Sequence, residues 1–240
     1  MRSPRQLALS AAVLIVALLA AAPAEGYYRS VTEPPDGVAR GTVLTIHGGG
    51  WLGDIGSYSD FAMSVFIYWY SRAGYRVVNT DYRTGHSIDD ATTTLRWIRR
   101  RYGRRPICIQ GVSSGAQIAL VLAKRFKLAC VIAESVPPTL LDWGAPRRLG
   151  EPYAWDAFRT RRRLKHLSPS HFAHQVREPV LVAGAPCDRL IAWRKQRRLA
   201  RDLPRGKLLR LSSATHCPRP PAWKDLAARA KPLLARTLAR

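Results

Sequence analysis

The feature that most constrains the fold is an alternation of short apolar runs with longer segments of helical periodicity. The runs at 108–110 and 180–183 are almost continuously apolar, as strands buried on both faces of a parallel sheet must be. Such alternation predicts an α/β fold with a mostly parallel central sheet and helices on both faces. We predict strands at 43–47, 76–82, 106–111, 128–134, 179–184 and 207–212, and helices at 57–73, 88–102, 114–126, 190–202 and 222–238.

The alternation is interrupted over 137–176, where several aromatic residues stand among glycine, proline and arginine without a clear period. Long irregular insertions in compact domains are usually lids or binding loops. The aromatic residues fit a lid or a pocket wall, and they equally fit packing against the core. We expect residues 25–240 to form one domain that carries this lid-like insertion.

The first 24 residues have the composition of a secretory signal peptide. Arg2 and Arg5 precede an apolar run over 7–22, and Ala22-Pro23-Ala24 supplies the small residues that a signal peptidase reads. A membrane anchor is the alternative, but crossing the hydrocarbon core needs about 20 apolar residues and this run is shorter. We therefore expect a secreted or extracytoplasmic protein, which can keep disulfide bonds.

Two glycine-containing motifs point to nucleophilic chemistry. Gly111-Val112-Ser113-Ser114-Gly115 matches G-x-S-x-G between a predicted strand and a predicted helix. A nucleophile on such a sharp turn has a strained backbone, and the small flanking residues let strand and helix pass closely. This pattern occurs by chance in roughly one chain in ten of this size, so it needs support from a second motif.

The second motif is His47-Gly48-Gly49-Gly50-Trp51, directly after a predicted strand. Three glycines let backbone N–H groups converge on an oxyanion, whereas a tight turn explains only one of them. Together the two motifs resemble the HGGG carboxylesterases of the α/β-hydrolase superfamily, and the resemblance extends through 81–83 and 90–97 over essentially the whole mature chain.

The resemblance implies an α/β-hydrolase fold with Ser113 as the nucleophile. It also implies an oxyanion hole formed by the amides of Gly49, Gly50 and Ser114. His47, Gly48 and Trp51 are then expected to line the substrate site.

A catalytic serine needs a base, and the base needs an orienting carboxylate. In this fold the order along the chain is serine, acid, histidine. His216 follows the last predicted strand in a segment that resembles the family's histidine loop, so we expect it to be the base. Three earlier histidines fall in the irregular region and are interpreted as lid or surface residues: His166, His171 and His174.

Two carboxylates compete for the role of acid. Asp188 follows the strand at 179–184, and the branched aliphatic Ile191 stands three residues further on, as in the family's acid loop. Glu134, at the end of the preceding strand, is the rival, because some hydrolases of this fold keep their acid there. The loop order favours Asp188.

The four cysteines allow three pairings. Cys187 precedes Asp188 and Cys217 follows His216, so a contact between acid and base would bring these two thiols within disulfide range. We predict a Cys187–Cys217 bridge, with free or differently paired thiols as the alternative. Cys108 and Cys130 lie on adjacent predicted strands and are expected to be buried as small apolar residues.

The resemblance implies a secreted serine carboxylesterase that cleaves small acyl esters, free or linked to polysaccharide. No metal or organic cofactor is expected, since the sequence contains neither a ligand cluster nor a phosphate-binding loop. An arylformamidase or a peptidase would use the same triad. Outside catalysis, the alternative is a protein that binds an anionic cell-wall polymer.

The formal net charge of +23 raises the question of an anionic partner, either a nucleic acid or a polymer of the cell surface. The basic residues are spread along the chain without a nucleic-acid-binding motif, so no nucleic-acid partner is expected. Weak association with anionic surface polymers stays open.

Overall fold

A computed structural model describes residues 26–103, 105–141, 160–212, 216 and 220–238. The predicted signal peptide therefore lies outside the described residues, as does much of the predicted insertion. Within the described ranges, no helix is long and apolar enough to cross a membrane.

Seven described strands form one sheet in the order β1-β3-β2-β4-β5-β6-β7. All neighbouring strands are parallel except β1, which is antiparallel to β3. The strands are β1 Arg29–Thr32, β2 Thr42–Ile46, β3 Arg76–Thr80, β4 Ile107–Val112, β5 Cys130–Glu134, β6 Val180–Gly184 and β7 Gly206–Arg210.

The described helices connect these strands and form a layer on each face of the sheet. They are α1 Tyr58–Arg72, α2 Ser87–Tyr102, α3 Ser114–Arg125, α4 Arg161–Leu167, α5 Pro169–Phe172, α6 Trp193–Asp202 and α7 Pro220–Leu238, with a 3-10 turn at Ala173–Gln175.

Alternating side chains of the central strands pack into two separate hydrophobic cores, one on each face of the sheet. Leu44 belongs to a cluster with buried residues of α2, α3 and α6, whereas its neighbour Val43 belongs to a cluster with buried residues of α1 and α7. Successive side chains of a strand point to opposite faces, so a sheet that is apolar on both faces needs helices on both. The predicted fold class is confirmed.

The structure departs from the predicted elements in two places. Strand β1 was not predicted, because its four residues are too short to give a clear apolar alternation. Helix α4 lies in the segment expected to be irregular. Its first turn is capped by Thr160, whose hydroxyl accepts a bond from the Arg163 amide at 3.1 Å, and it buries Leu164 and Leu167. The three histidines near it are exposed, as expected for surface residues.

The cysteine predictions need correction. Cys108 and Cys130 form a disulfide with their Cα atoms 4.6 Å apart. They are partners in the register of β4 and β5, a relation that the sequence does not give. Cys187 is a free, exposed thiol. The prediction that it forms a disulfide bond with Cys217 is therefore wrong. Cys217 itself lies outside the described residues.

Removing the Cys108–Cys130 bond is expected to lower the free energy of unfolding by about 3 kcal/mol, because a bond that closes a loop of this size restricts the unfolded chain. The bond spans 22 residues. Urea unfolding of the Cys108→Ala/Cys130→Ala variant measures the loss. The matched control Cys187→Ser changes an exposed free thiol and should leave the unfolding midpoint unchanged. An equal loss in both variants would contradict the prediction.

Candidate active site

Three side chains meet beyond the carboxyl ends of β4, β6 and β7. Ser113 Oγ lies 2.9 Å from His216 Nε2, and His216 Nδ1 lies 2.9 Å from Asp188 Oδ2. With Nδ1 protonated, the ring donates to the carboxylate and its Nε2 accepts from the serine hydroxyl. The structure thus brings together, in one hydrogen-bonded path, the three residues that sequence order singles out.

Ser113 occupies a strained turn between β4 and α3. Its φ of 52° and ψ of −116° lie where few residues other than glycine are found. The turn is tight: a Cβ atom on Gly111 would collide with the Gly115 carbonyl, and one on Gly115 would collide with the Ile46 carbonyl. The Ser113 amide donates to the Glu134 carbonyl at 2.8 Å, which continues the pairing of β4 with β5 and fixes the serine backbone.

Asp188 is held in one orientation by three groups, two backbone amides of its own loop and the imidazole of His216. Its Oδ1 accepts bonds from the amides of Leu190 and Ile191, each at 2.8 Å, which leaves Oδ2 for the imidazole. Burial alone would raise the pKa of Asp188, but the bonds from His216 and from the two amides, with the charge on the imidazole, lower it on balance. The carboxyl is therefore ionised at neutral pH.

The rival acid has a different partner. Glu134 is fully buried, and its Oε1 accepts a bond from Trp223 Nε1 on α7 at 3.0 Å. Burial raises the pKa of Glu134 to about 8, the bond from Trp223 opposes the shift, and the nearby charge of Asp188 adds to it. Its carboxyl is therefore mostly protonated at pH 7, and it links the end of β5 to α7 beside the site.

The raised pKa of Glu134 makes stability depend on pH. Between about pH 4.5 and pH 8 the folded state keeps a proton that the unfolded state has lost, so stability falls as the pH rises through this window. We expect the free energy of unfolding to drop by roughly 3 kcal/mol between pH 5 and pH 8.5, and Glu134→Gln to lose most of that dependence.

Urea unfolding at the two pH values measures this effect. Asp202→Asn, at an exposed carboxyl at the end of α6, is the control and should keep the wild-type dependence. If the Glu134→Gln variant showed the same pH dependence as the wild type, the shift would belong to other groups.

The glycine loop after β2 lies directly against the serine. A Cβ atom on Gly48 would come within 3.2 Å of the Ser113 Cβ. Gly49 and Gly50 have φ values of 109° and 69°, so this stretch of the loop needs the left-handed conformation that glycine adopts freely. Ser114 begins α3, and the N-terminal end of a helix favours a negative charge.

His47 and Trp51 flank the three glycines of this loop. His47 Nε2 is 2.9 Å from Asp81 Oδ1, and the ring stacks on Tyr82 with centroids 4.4 Å apart. Trp51 Nε1 donates to Gln117 Oε1 at 2.8 Å. Both side chains are buried. Their polar atoms bind protein groups and support the loop, and a contact of either side chain with substrate stays a prediction.

Sequence reasoning assigned no role to Gln117. Its amide group also donates to the Leu167 carbonyl at 2.8 Å, so it joins the glycine loop, α3 and α4. The signal was a polar residue within an otherwise apolar helix, one turn after Ser113. Among the described side chains, no cluster of three or more histidine, cysteine or acidic residues is arranged to hold a metal ion.

Comparisons with known proteins agree with this geometry. Residues 32–133 match the BD-FAE family, an α/β-hydrolase-type esterase domain. A comparison with curated protein sequences finds no match.

Solved structures with the same fold include esterases and a peptidase. Est1E from Butyrivibrio proteoclasticus aligns with a TM-score of 0.67 and 14% identity over 88% of this chain and 94% of that one. Pyrococcus furiosus esterase Pf2001 gives a TM-score of 0.67 and 18% identity over 88% and 93%.

A puromycin-hydrolyzing peptidase from Mycobacterium tuberculosis gives a TM-score of 0.71 and 16% identity over 88% of this chain, which spans 37% of that protein. The sheet order, the strained turn at Ser113 and these likenesses together show that the chain has the α/β-hydrolase fold, with esterases and peptidases among its structural neighbours.

Proposed function

We propose that this chain is an extracytoplasmic serine hydrolase that cleaves small carboxylic esters. The observation that carries the proposal is the hydrogen-bonded path from Ser113 Oγ through His216 to Asp188, which starts at a strained strand-to-helix turn. Strain of this kind costs on the order of 1–3 kcal/mol and persists mainly where it serves function. The buried Cys108–Cys130 disulfide supports the extracytoplasmic part, because reducing compartments disfavour such bonds.

Ester cleavage proceeds in two acyl-transfer steps. His216 Nε2 takes the proton from Ser113 Oγ as that oxygen attacks the carbonyl carbon, and the imidazolium is stabilised by Asp188. The tetrahedral intermediate collapses when His216 gives the proton to the departing alcohol oxygen and the ester C–O bond breaks. Water then attacks the acyl-serine, loses a proton to His216 and releases the carboxylic acid, while Ser113 regains its proton.

The negative charge that develops on the carbonyl oxygen needs hydrogen-bond donors. We assign these donors to the amides of Gly49, Gly50 and Ser114. Gly48 packs against the serine, so the next two residues of the loop begin beside the reacting carbon. The start of α3 adds the partial positive charge of a helix N-terminus at the Ser114 amide.

The ester is preferred over the amide as substrate because the matched family model is an esterase domain and the two esterases align over nearly their full length. A peptidase or amidase activity is the second candidate, supported by the likeness to the puromycin-hydrolyzing peptidase. An arylformamide would use the same groups and belongs with this candidate.

Covalent labelling tests the proposal. A fluorophosphonate is expected to react with one serine, and peptide mass mapping should place the label on Ser113. In parallel, kcat/KM is measured for p-nitrophenyl acetate, an aminoacyl p-nitroanilide and an arylformamide. Esterase activity predicts that the acetate is the best substrate. An anilide or formamide used as efficiently as the ester would favour the second candidate, and folded protein that takes no label at Ser113 would refute the hydrolase.

A further inference from the structure

Helix α6 presents a row of arginines to solvent that the catalytic proposal does not use. The row consists of four exposed residues, Arg194, Arg197, Arg198 and Arg201. The last three follow Arg194 by three, four and seven positions, so all four lie on one side of the helix, which we call the arginine face. The helix packs against the protein through Gln196, Leu199 and Ala200 instead.

The charges of the arginine face are largely uncompensated within the helix. Asp202 is the only acidic residue of α6, and its Oδ2 lies 3.7 Å from Arg198 Nε, a long contact between exposed groups. Like charges three or four positions apart destabilise a helix. Ordinary solvated helix faces mix both signs, whereas this one concentrates a single sign over about 10 Å.

The positive surface continues onto the edge of the sheet. Strand β7 ends the sheet order, and its Lys207 and Arg210 are exposed, as is Arg205 in the turn before it. Between α6 and β7 lies an open cavity of about 510 Å³, whose lining includes Arg197, Arg201 and Leu208. A chain lying along α6 would therefore meet cations on both the helix and the strand.

We propose that the arginine face, with the adjoining edge of β7, is a docking surface for a linear anionic glycan that carries sulfate or phosphate groups. Guanidinium groups bind such oxyanions through paired N–H donors. Neighbouring arginines on the face are about 5–6 Å apart at Cβ, a spacing that lets successive charges of one polymer each find a partner.

The buried disulfide favours a glycan over a nucleic acid as the occupant, because it fits an oxidising compartment outside the cytosol. Helix α6 begins five residues after Asp188, so a docked polymer would lie on the part of the molecule that also carries the acid loop. The proposal is independent of the hydrolase assignment and stands or falls on binding alone.

Salt-dependent binding to heparin, a sulfated glycan, tests the docking surface. The variant R194Q/R197Q/R198Q/R201Q removes the four charges of the face. The matched control R161Q/R162Q/R163Q/K165Q removes four exposed charges from α4, so both variants have the same net charge. Thermal unfolding checks that each variant is folded.

The face variant is expected to weaken heparin binding about tenfold or more at 0.15 M salt. The slope of log K against log salt should become shallower by about 3, because four fewer cations displace counterions from the polymer when it binds. The α4 control should change the affinity less than threefold. Equal losses in both variants, or no loss in either, would overturn the proposal. Binding of duplex DNA that is tighter than heparin and depends on the same four arginines would overturn the choice of a glycan.

Discussion

Replacement of Ser113 with alanine is expected to lower kcat for p-nitrophenyl acetate about 10⁶-fold, because the variant has no hydroxyl oxygen to attack the ester and form the acyl intermediate. The residue sits on a backbone that β4 and β5 fix independently of the hydroxyl, since the Ser113 amide bonds to the Glu134 carbonyl. The loss should therefore fall on catalysis and leave the fold intact. Residual catalysis from the proposed amide donors is expected at about 10³-fold over water.

Burst-phase kinetics and labelling complete this test. The wild type should form one acyl group per molecule before steady turnover, and Ser113→Ala should show neither burst nor label. Ser64→Ala, which removes an exposed hydroxyl from α1, is the matched control and should behave as the wild type. Undiminished turnover by a folded Ser113→Ala variant would mean that another group is the nucleophile.

Much of this arrangement follows from order along the chain. Parallel strands place their carboxyl ends at one edge, so residues that follow different strands converge there although they are far apart in sequence. That is why Ser113, Asp188 and His216, which follow β4, β6 and β7 of the parallel sheet, could be predicted from the sequence to lie together. The alternation of apolar runs with helical segments was likewise enough to predict the α/β fold class.

The register of β4 against β5 and the protonation state of Glu134 could not be predicted from the order of residues along the chain. Whether Cys108 faces Cys130 depends on a relative shift of two strands by a single residue, which would turn one side chain to the other face. The state of Glu134 depends on how completely α1, α7 and the strands exclude water from it. The roles of His47 and Trp51 depend on Asp81 and Gln117, partners that only the folded chain brings close.

Replacement of Asp188 with asparagine should lower kcat about 10⁴-fold while leaving KM nearly unchanged, because the wrong histidine tautomer is enforced. In the wild type, Oδ1 accepts from two amides and Oδ2 faces the imidazole. Asparagine has one carbonyl oxygen, which the two amides hold, so its NH₂ group is turned toward His216 Nδ1. The ring must then carry its proton on Nε2, where it can no longer accept the proton of Ser113.

The lowered pKa of Asp188 makes the same substitution informative about pH. A carboxyl whose pKa is lowered by folding stabilises the folded state above its ordinary pKa, and this stability is lost as the pH falls through the pKa of the folded state. Asp188→Asn should therefore remove this decrease in the free energy of unfolding at acid pH, together with the activity. Asp225→Asn on α7, whose carboxylate pairs with Arg229 at 2.9 Å, is the control for losing an aspartate elsewhere. If Asp188→Asn kept activity within tenfold while Glu134→Gln lost it, the orienting carboxylate would be Glu134, and the hydrogen bond between Asp188 and His216 would be structural only.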